Sequence, residues 1–143
     1  MTQPENTQIS HLMRQIMRKK QQLIHQHLKP FGEITAHQIM ALSYINQHPG
    51  AIQQDLVTLT QRRAPTVSVM LKRFERDNLI VRKIPSDNNR NKEITLTEHG
   101  QEIVRSFQQA TTATDELAIA DFTPTQTAQL IALLTQMNQH LDV

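Results

Sequence analysis

The sequence predicts a mainly α-helical protein with one small β-hairpin, and three observations support this prediction. Apolar residues recur at three- and four-residue steps over most of the 143 residues, as they do on amphipathic helices. Residues that favour helix starts, such as Thr35, Thr97 and Thr123, precede several of these stretches. Between residues 79 and 96, two short apolar runs instead flank a polar, turn-rich loop, which is the pattern of a hairpin.

The first two helices are predicted from an apolar stripe and a capping motif. The stripe runs from Ile9 to Leu28 and is long enough to need a partner helix. The second helix begins at a capping box, in which Thr35 and Gln38 satisfy each other's backbone N–H groups, and it ends at the Pro-Gly pair of residues 49–50.

The third and fourth helices are predicted to form a helix-turn-helix. The short third helix, roughly residues 53–60, has a poor N-cap because Ile52 stands where Ser or Thr is expected, although Asp55 compensates in part through the helix dipole. The fourth helix, about residues 64–77, has Pro65 in its first turn, where a missing N–H is harmless. A short helix, a tight turn and an amphipathic basic helix make up this motif.

The fourth helix is expected to bury one side and expose a basic ridge on the other. At 100° per residue, Val67, Leu71 and Phe74 share one side, which faces the core. Val69 falls among the charged residues, either as a stray exposed valine or as an apolar contact to a thymine methyl group. The rest of the ridge consists of Ser68, Lys72, Arg73 and Arg76.

A hairpin and two long helices are predicted to complete the chain. Residues 79–84 and 93–96 alternate as strands, and the loop between them forms a protruding basic tip, so that the hairpin is a wing. Thr97 can cap the fifth helix, and Thr123 begins the sixth. The apolar seams of these two helices exceed what one small subunit covers.

Charge and aromatic content together indicate a duplex nucleic acid as partner. Residues 61–92 hold nine Lys and Arg against three acids, a net charge of +6, whereas residues 93–143 hold one Arg against seven acids, a net charge of −6. A basic segment of this kind favours a polyanion, although a solvated charged face is the alternative. The aromatic content is 3%, which is too low for the stacking surface of a single-strand binder.

Several classes of protein are excluded or disfavoured. The absence of cysteine excludes disulfides, thiolate metal sites and thiol switches. No stretch approaches the roughly 20 apolar residues of a membrane span, and the polar N-terminus lacks a secretory signal, so we expect a cytoplasmic protein without a membrane partner. The sequence has no nucleophile elbow and no Gly-rich phosphate loop, so we expect no enzyme and no cofactor.

The histidines do not predict a metal site. His25 and His27 are two residues apart on a helix and point to different faces. The remaining histidines show no local ligand spacing; they are His11, His37, His48, His99 and His140.

Over nearly its whole length the chain resembles the MarR family of bacterial winged helix-turn-helix transcription regulators. The resemblance rests on three stretches: PTVS at 65–68, LKRFE at 71–75 with LI at 79–80, and DNNRNKEITLT at 87–97, preceded by Arg82 on the first wing strand. The last stretch is similar to the family's wing signature. The family pattern places Asp two residues before the wing arginine, where this chain has Asn88, and Asn78 replaces a usual glycine.

The resemblance implies a homodimer of MarR-type subunits, each spanning residues 1–143. Residues 35–97 then form the winged helix-turn-helix DNA-binding region, and residues 8–30 and 98–143 form the helical dimerisation region. The dimer-interface residues expected from the apolar stripes are Ile9, Leu12, Ile16, Leu117, Leu130, Leu134, Met137 and Leu141.

The DNA-binding residues are predicted on the fourth helix and the wing. Thr66, Ser68 and Val69 lie toward the start of the helix and are expected to read base edges, while Arg63 reads bases or clamps the backbone. Arg73 and Arg76 contact phosphates or, alternatively, pair with neighbouring acids. On the wing, Arg90→Ala is expected to weaken binding and lower its salt dependence. The remaining phosphate or groove contacts are Lys72, Asn89, Arg90 and Lys92.

Many members of the family repress their own operon and release DNA when a small ligand binds. By resemblance, a palindromic operator and a small-molecule effector are the expected partners, with the ligand cleft between the first, second and fifth helices. The weak candidates for lining it are Met13, Met17, His37 and Met40, which are also plain core candidates. A winged-helix module for protein–protein contact and a metal-responsive regulator stay open as alternatives.

Overall fold

The predicted order of six helices and one hairpin is confirmed by the structure. The computed structural model describes residues 2–84 and 92–142. The helices are α1 (Glu5–Leu28), α2 (Ala36–Gln47), α3 (Gln53–Thr60), α4 (Ala64–Arg76), α5 (Glu98–Ala118) and α6 (Pro124–His140); the strands are β1 (Ile80–Lys83) and β2 (Glu93–Leu96), and a short 3₁₀ turn, Lys29–Phe31, follows α1.

The helix starts follow the capping signals of the sequence. At α2, the Gln38 N–H donates to Thr35 Oγ1 at 3.2 Å and the Thr35 N–H donates to Gln38 Oε1 at 3.1 Å, which completes the expected capping box. The same reciprocal pair forms at α6 between Thr123 and Gln126. These bonds satisfy N–H groups that a helix terminus would otherwise leave without acceptors.

The start of α3 is better satisfied than its sequence predicts. The sequence indicates that Asp55 acts through the helix dipole alone, but its Oδ2 also accepts a hydrogen bond from the Ile52 N–H at 2.9 Å. This is one half of a capping box, since Ile52 has no side-chain acceptor to supply the other half. The carboxylate therefore fixes the position at which α3 leaves the preceding loop.

The core lies where α2, α3, α4, β2 and α5 meet. Each element contributes from one face only, as the apolar periodicity of the sequence requires. Residues with almost no exposed surface come from all five elements and include Leu42, Ile45, Leu56, Leu71, Ile94 and Ile103. This shared core fixes the orientation of α4 relative to the rest of the subunit.

The hairpin is held at both ends by backbone contacts. The strands are antiparallel, with Ile80 opposite Leu96 and Lys83 opposite Glu93. The loop between α2 and α3 adds a bridge, because the Ile94 N–H donates to the Ala51 carbonyl at 2.8 Å. The wing is thereby attached to the helix-turn-helix through its second strand.

The terminal helices leave much of their apolar surface exposed. α1 packs along α5, and Lys20 of α1 pairs with Asp115 of α5 at 2.5 Å. No residue of α6, all of which is described, is buried within the subunit. Across residues 2–84 and 92–142, none of the helices combines the length and apolar character of a membrane span.

Candidate nucleic-acid interface and adjoining cavity

The helix-turn-helix presents α4 with its basic side outward. The turn after α3 is made by Gln61, which is left-handed with φ 55°, and Arg63 is the N-cap residue of α4. The core side of α4 is buried, as its sequence predicts, through Val67, Leu71 and Phe74. The opposite side therefore faces solvent along the length of the helix.

This outer side, the basic ridge, consists of Thr66, Val69, Lys72, Arg73 and Arg76, all of which are exposed. Ser68 lies at its margin and is half-buried. Val69 is 68% exposed and makes no contribution to the core, so its position favours a contact outside the subunit. The ridge combines hydroxyl, methyl and cationic groups, which are the groups that read base edges and bind phosphates in a major groove.

Two arginines of the ridge have an acid nearby, as the alternative interpretation allows. Nε of Arg73 lies 3.8 Å from Asp77 Oδ2, and Nε of Arg76 lies 3.5 Å from Asp77 Oδ1. All three side chains are about half exposed or more, so these pairs are weak and screened by salt. A phosphate can therefore compete with Asp77 for either guanidinium.

A stronger ion pair joins α4 to the wing. Nε of Arg82 on β1 donates to Glu75 Oε1 at 2.7 Å, and Nη2 of Arg82 contacts the same oxygen. The Arg82 side chain is only 15% exposed, so it is largely removed from solvent. Arg82 is thus a structural clip between helix and wing, and sequence patterns could not identify its partner seven residues away across the turn.

The base of the wing is described, whereas its tip is not. Asn78 has φ 59°, the left-handed conformation that a helix end favours for Gly or Asn. Lys92 is exposed at the start of the return strand. The other predicted wing positions, Asn88, Asn89 and Arg90, lie outside the described residues.

A cavity of about 830 Å³ adjoins the helix-turn-helix between α1, α2 and α5. Its wall is mainly apolar and contains two aromatic side chains, Tyr44 of α2 and Phe107 of α5. Glu33 carries the formal charge among its lining residues, which also include His25 and the Leu59 side chain of α3. The volume is within the range of small-molecule sites, which is about 300–1,000 Å³.

The four residues suggested for a ligand cleft separate in the structure. Met40 lines the cavity. Met13 and Met17 are exposed on α1 and are not among its lining residues, and His37 lies beside it in contact with Arg62. Sequence reasoning missed Tyr44 and Phe107 because a cavity-lining aromatic and a core aromatic have the same helical spacing.

The predicted dimer-interface residues form an exposed apolar surface on α1, α5 and α6. Among large apolar side chains that the subunit leaves exposed are Ile9, Leu12, Ile16, Leu117, Leu130, Leu134 and Leu141, while Met137 is half-buried. In residues 2–84 and 92–142, His, Asp and Glu side chains do not gather in threes at a spacing that suits a metal ion.

Known proteins share both the sequence pattern and the fold. A model of the MarR family matches residues 34–92, which span α2 to the start of the wing's return strand. Comparison with curated sequences gives no match.

MepR, a transcription regulator of the Staphylococcus aureus multidrug efflux pump MepA, is similar over nearly the whole chain. A mutant of MepR is 32% identical with a TM-score of 0.84, covering 93% of this chain and 98% of that one. A MepR mutant bound to an oligodeoxyribonucleotide is 31% identical with a TM-score of 0.75, covering 94% and 98%. MepR bound to ethidium bromide is 31% identical with a TM-score of 0.71, covering 93% and 96%.

A second relative comes from Clostridium acetobutylicum. This putative MarR family transcriptional regulator is 26% identical with a TM-score of 0.80, and the match covers 94% of this chain and 99% of that one. Sequence, fold and the exposed basic helix agree, and the chain therefore belongs to the MarR family of winged helix-turn-helix transcription regulators.

Proposed function

We propose that the protein is a homodimeric repressor that binds a palindromic operator and leaves it when a small organic ligand occupies the cavity. Residues 35–97 form the DNA-binding region in this proposal, and residues 8–30 and 98–143 form the dimerisation region. The observation that carries it is the basic ridge, which is exposed on a helix held rigidly by the core.

The ridge fits a major groove by its chemistry and by its place on the helix. Thr66 and Val69 lie in the first half of α4, where a recognition helix approaches base edges. Lys72 and Arg76 lie further along the helix and suit phosphate contacts. Lys92, at the base of the wing, suits the neighbouring backbone or minor groove.

The surface area of the subunit supports a dimer. The chain has a mass of 16.5 kDa and an accessible surface of 10755 Å². A compact monomer of this mass exposes about 7,600 Å². The excess matches the scale of an obligate homodimer interface, roughly 2,000–5,000 Å² in total. Because the exposed apolar residues lie on the terminal helices, two copies related by a two-fold axis would leave both basic ridges free.

DNA binding is tested by selecting duplexes from a random pool and measuring affinity by fluorescence anisotropy against salt. We expect a palindromic consensus and a steep loss of affinity with salt. Lys72→Ala should lower the salt slope by about one unit for each subunit's lost phosphate contact. Arg18→Ala removes the same charge from the side of α1 opposite its apolar stripe and serves as the matched control. An equal effect of both variants, or no binding to any duplex at low salt, would contradict the proposal.

Dimerisation is tested by a charge placed on the apolar seam of α6. Leu134→Lys should shift the protein to monomers in analytical ultracentrifugation and abolish tight operator binding, since burying an unpaired ammonium is costly. Gln139→Lys adds the same charge to the exposed opposite side of α6 and should leave the dimer intact. A wild-type protein that sediments as a monomer refutes the dimer directly.

For the effector we propose a lipophilic organic cation. The cavity is apolar with two aromatic walls, and the described residues that line it include the carboxylate of Glu33 but no Lys or Arg. MepR is known bound to ethidium, which has this chemistry. Ethidium fluorescence and displacement from operator DNA test the proposal, with salicylate as an anionic aromatic control. Tighter binding of salicylate than of ethidium would reverse the sign of the proposed ligand.

A further inference from the structure

A contact between two distant segments lies beside the cavity. Nη2 of Arg62, in the turn between α3 and α4, is 3.2 Å from Nδ1 and 3.4 Å from Nε2 of His37, which is 25 residues earlier. Both ring nitrogens flank the same carbon atom. One guanidinium nitrogen can therefore be this close to both only when it lies over the face of the ring. The contact is thus a stacking of guanidinium on imidazole rather than an in-plane hydrogen bond.

His37 belongs to the first turn of α2, and that turn forms part of the cavity wall. The residues immediately before it, Glu33 to Ala36, line the cavity, while His37 itself does not. Leu59, in the last turn of α3, lines the wall as well. The two segments that carry His37 and Arg62 therefore both border the space that a ligand would occupy.

Arg62 belongs to the segment that sets the direction of α4. Before it, the Thr60 hydroxyl donates to the Leu56 carbonyl at 2.7 Å, which ties the turn to α3. After it, Arg63 is the N-cap residue of α4. A change in the position of Arg62 therefore acts on the first residues of the basic ridge, which begins at Thr66.

We propose that the His37–Arg62 contact is the link through which a ligand in the cavity changes the orientation of the recognition helix. A ligand held between the first turn of α2 and Leu59 separates these walls and breaks the stacking, so that the turn before α4 loses one of its supports. His37 and Arg62 are then positioning residues rather than ligand contacts. This inference rests on the proposed function, and it implies that operator binding weakens ligand binding by the same factor.

The experiment measures a coupling factor, which is the ratio of operator dissociation constants with and without saturating ethidium. We expect His37→Ala to lower this factor about two- to fivefold, the effect of losing one exposed cation–π contact. Arg62→Ala should lower it by a similar amount, and the double variant should lower it no further, because both changes remove one interaction. His37→Phe keeps an aromatic face and should retain most of the wild-type factor.

The controls separate this inference from the proposed function. An Arg62 that only bound DNA phosphate would weaken operator binding equally with and without ethidium, leaving the factor unchanged. A His37 that only bound ligand would weaken ethidium binding to the free protein when replaced. Either result overturns the inference while the proposed function stands. If the wild-type protein does not bind operator, or keeps it when ethidium is saturating, the proposed function fails and the inference fails with it.

Discussion

The most specific structural prediction concerns Gly100, in the first turn of α5. A Cβ built on this glycine would lie 2.2 Å from the Leu79 carbonyl oxygen, and the two atoms cannot approach so closely. The obstacle is backbone rather than a flexible side chain. The same carbonyl accepts a hydrogen bond from the Thr97 N–H at 3.0 Å, so it cannot move away without loss. Gly100 therefore permits α5 to pack against the start of the wing.

The expected effect of Gly100→Ala follows from opposing contributions. In an unobstructed helix the change stabilises by about 1 kcal/mol. Overpacking costs about 1–3 kcal/mol, and weakening the Thr97–Leu79 hydrogen bond costs about 1 kcal/mol. The net result is a destabilisation of about 1–3 kcal/mol, opposite in sign to the helix-propensity effect.

The assay is urea denaturation followed by far-UV circular dichroism at a fixed protein concentration, because dimerisation links stability to concentration. Gln101→Ala is the control, since it changes the next residue of the same turn, which is exposed, and should alter stability by no more than about 0.5 kcal/mol. A Gly100→Ala protein as stable as wild type would refute the close approach of α5 to Leu79.

Three further predictions follow from individual side chains. Gln61→Gly should stabilise the protein by about 0.5–1 kcal/mol, because Gln61 has φ 55°, whereas Gln101→Gly within α5 should destabilise it by about 1 kcal/mol; denaturation midpoints check both signs. Glu75→Gln should cost about 1–2 kcal/mol in the same assay because it leaves the largely desolvated Arg82 without its partner, and an unchanged midpoint would contradict the clip. Val69→Ala should leave folding unchanged and weaken operator binding by about 1 kcal/mol, with non-specific affinity unaffected; equal loss on all duplexes would refute a base contact.

The sequence by itself determined the order of elements and the two faces of α4. These features are local, since capping residues, helical periodicity and turn residues act over a few positions, and so Thr35, Thr123 and the buried Val67, Leu71 and Phe74 were predicted correctly. The family resemblance was also available from the sequence, because its motifs are contiguous stretches.

The tertiary structure alone decided which distant residues meet. The Arg62–His37 contact spans 25 residues, and the cavity draws Tyr44 and Phe107 from different helices. Gly100 has an ordinary place in a helical pattern, and only the packing of α5 on Leu79 gives it a role. Such contacts depend on how helices cross in space, and periodicity within one segment carries no information about the partner segment.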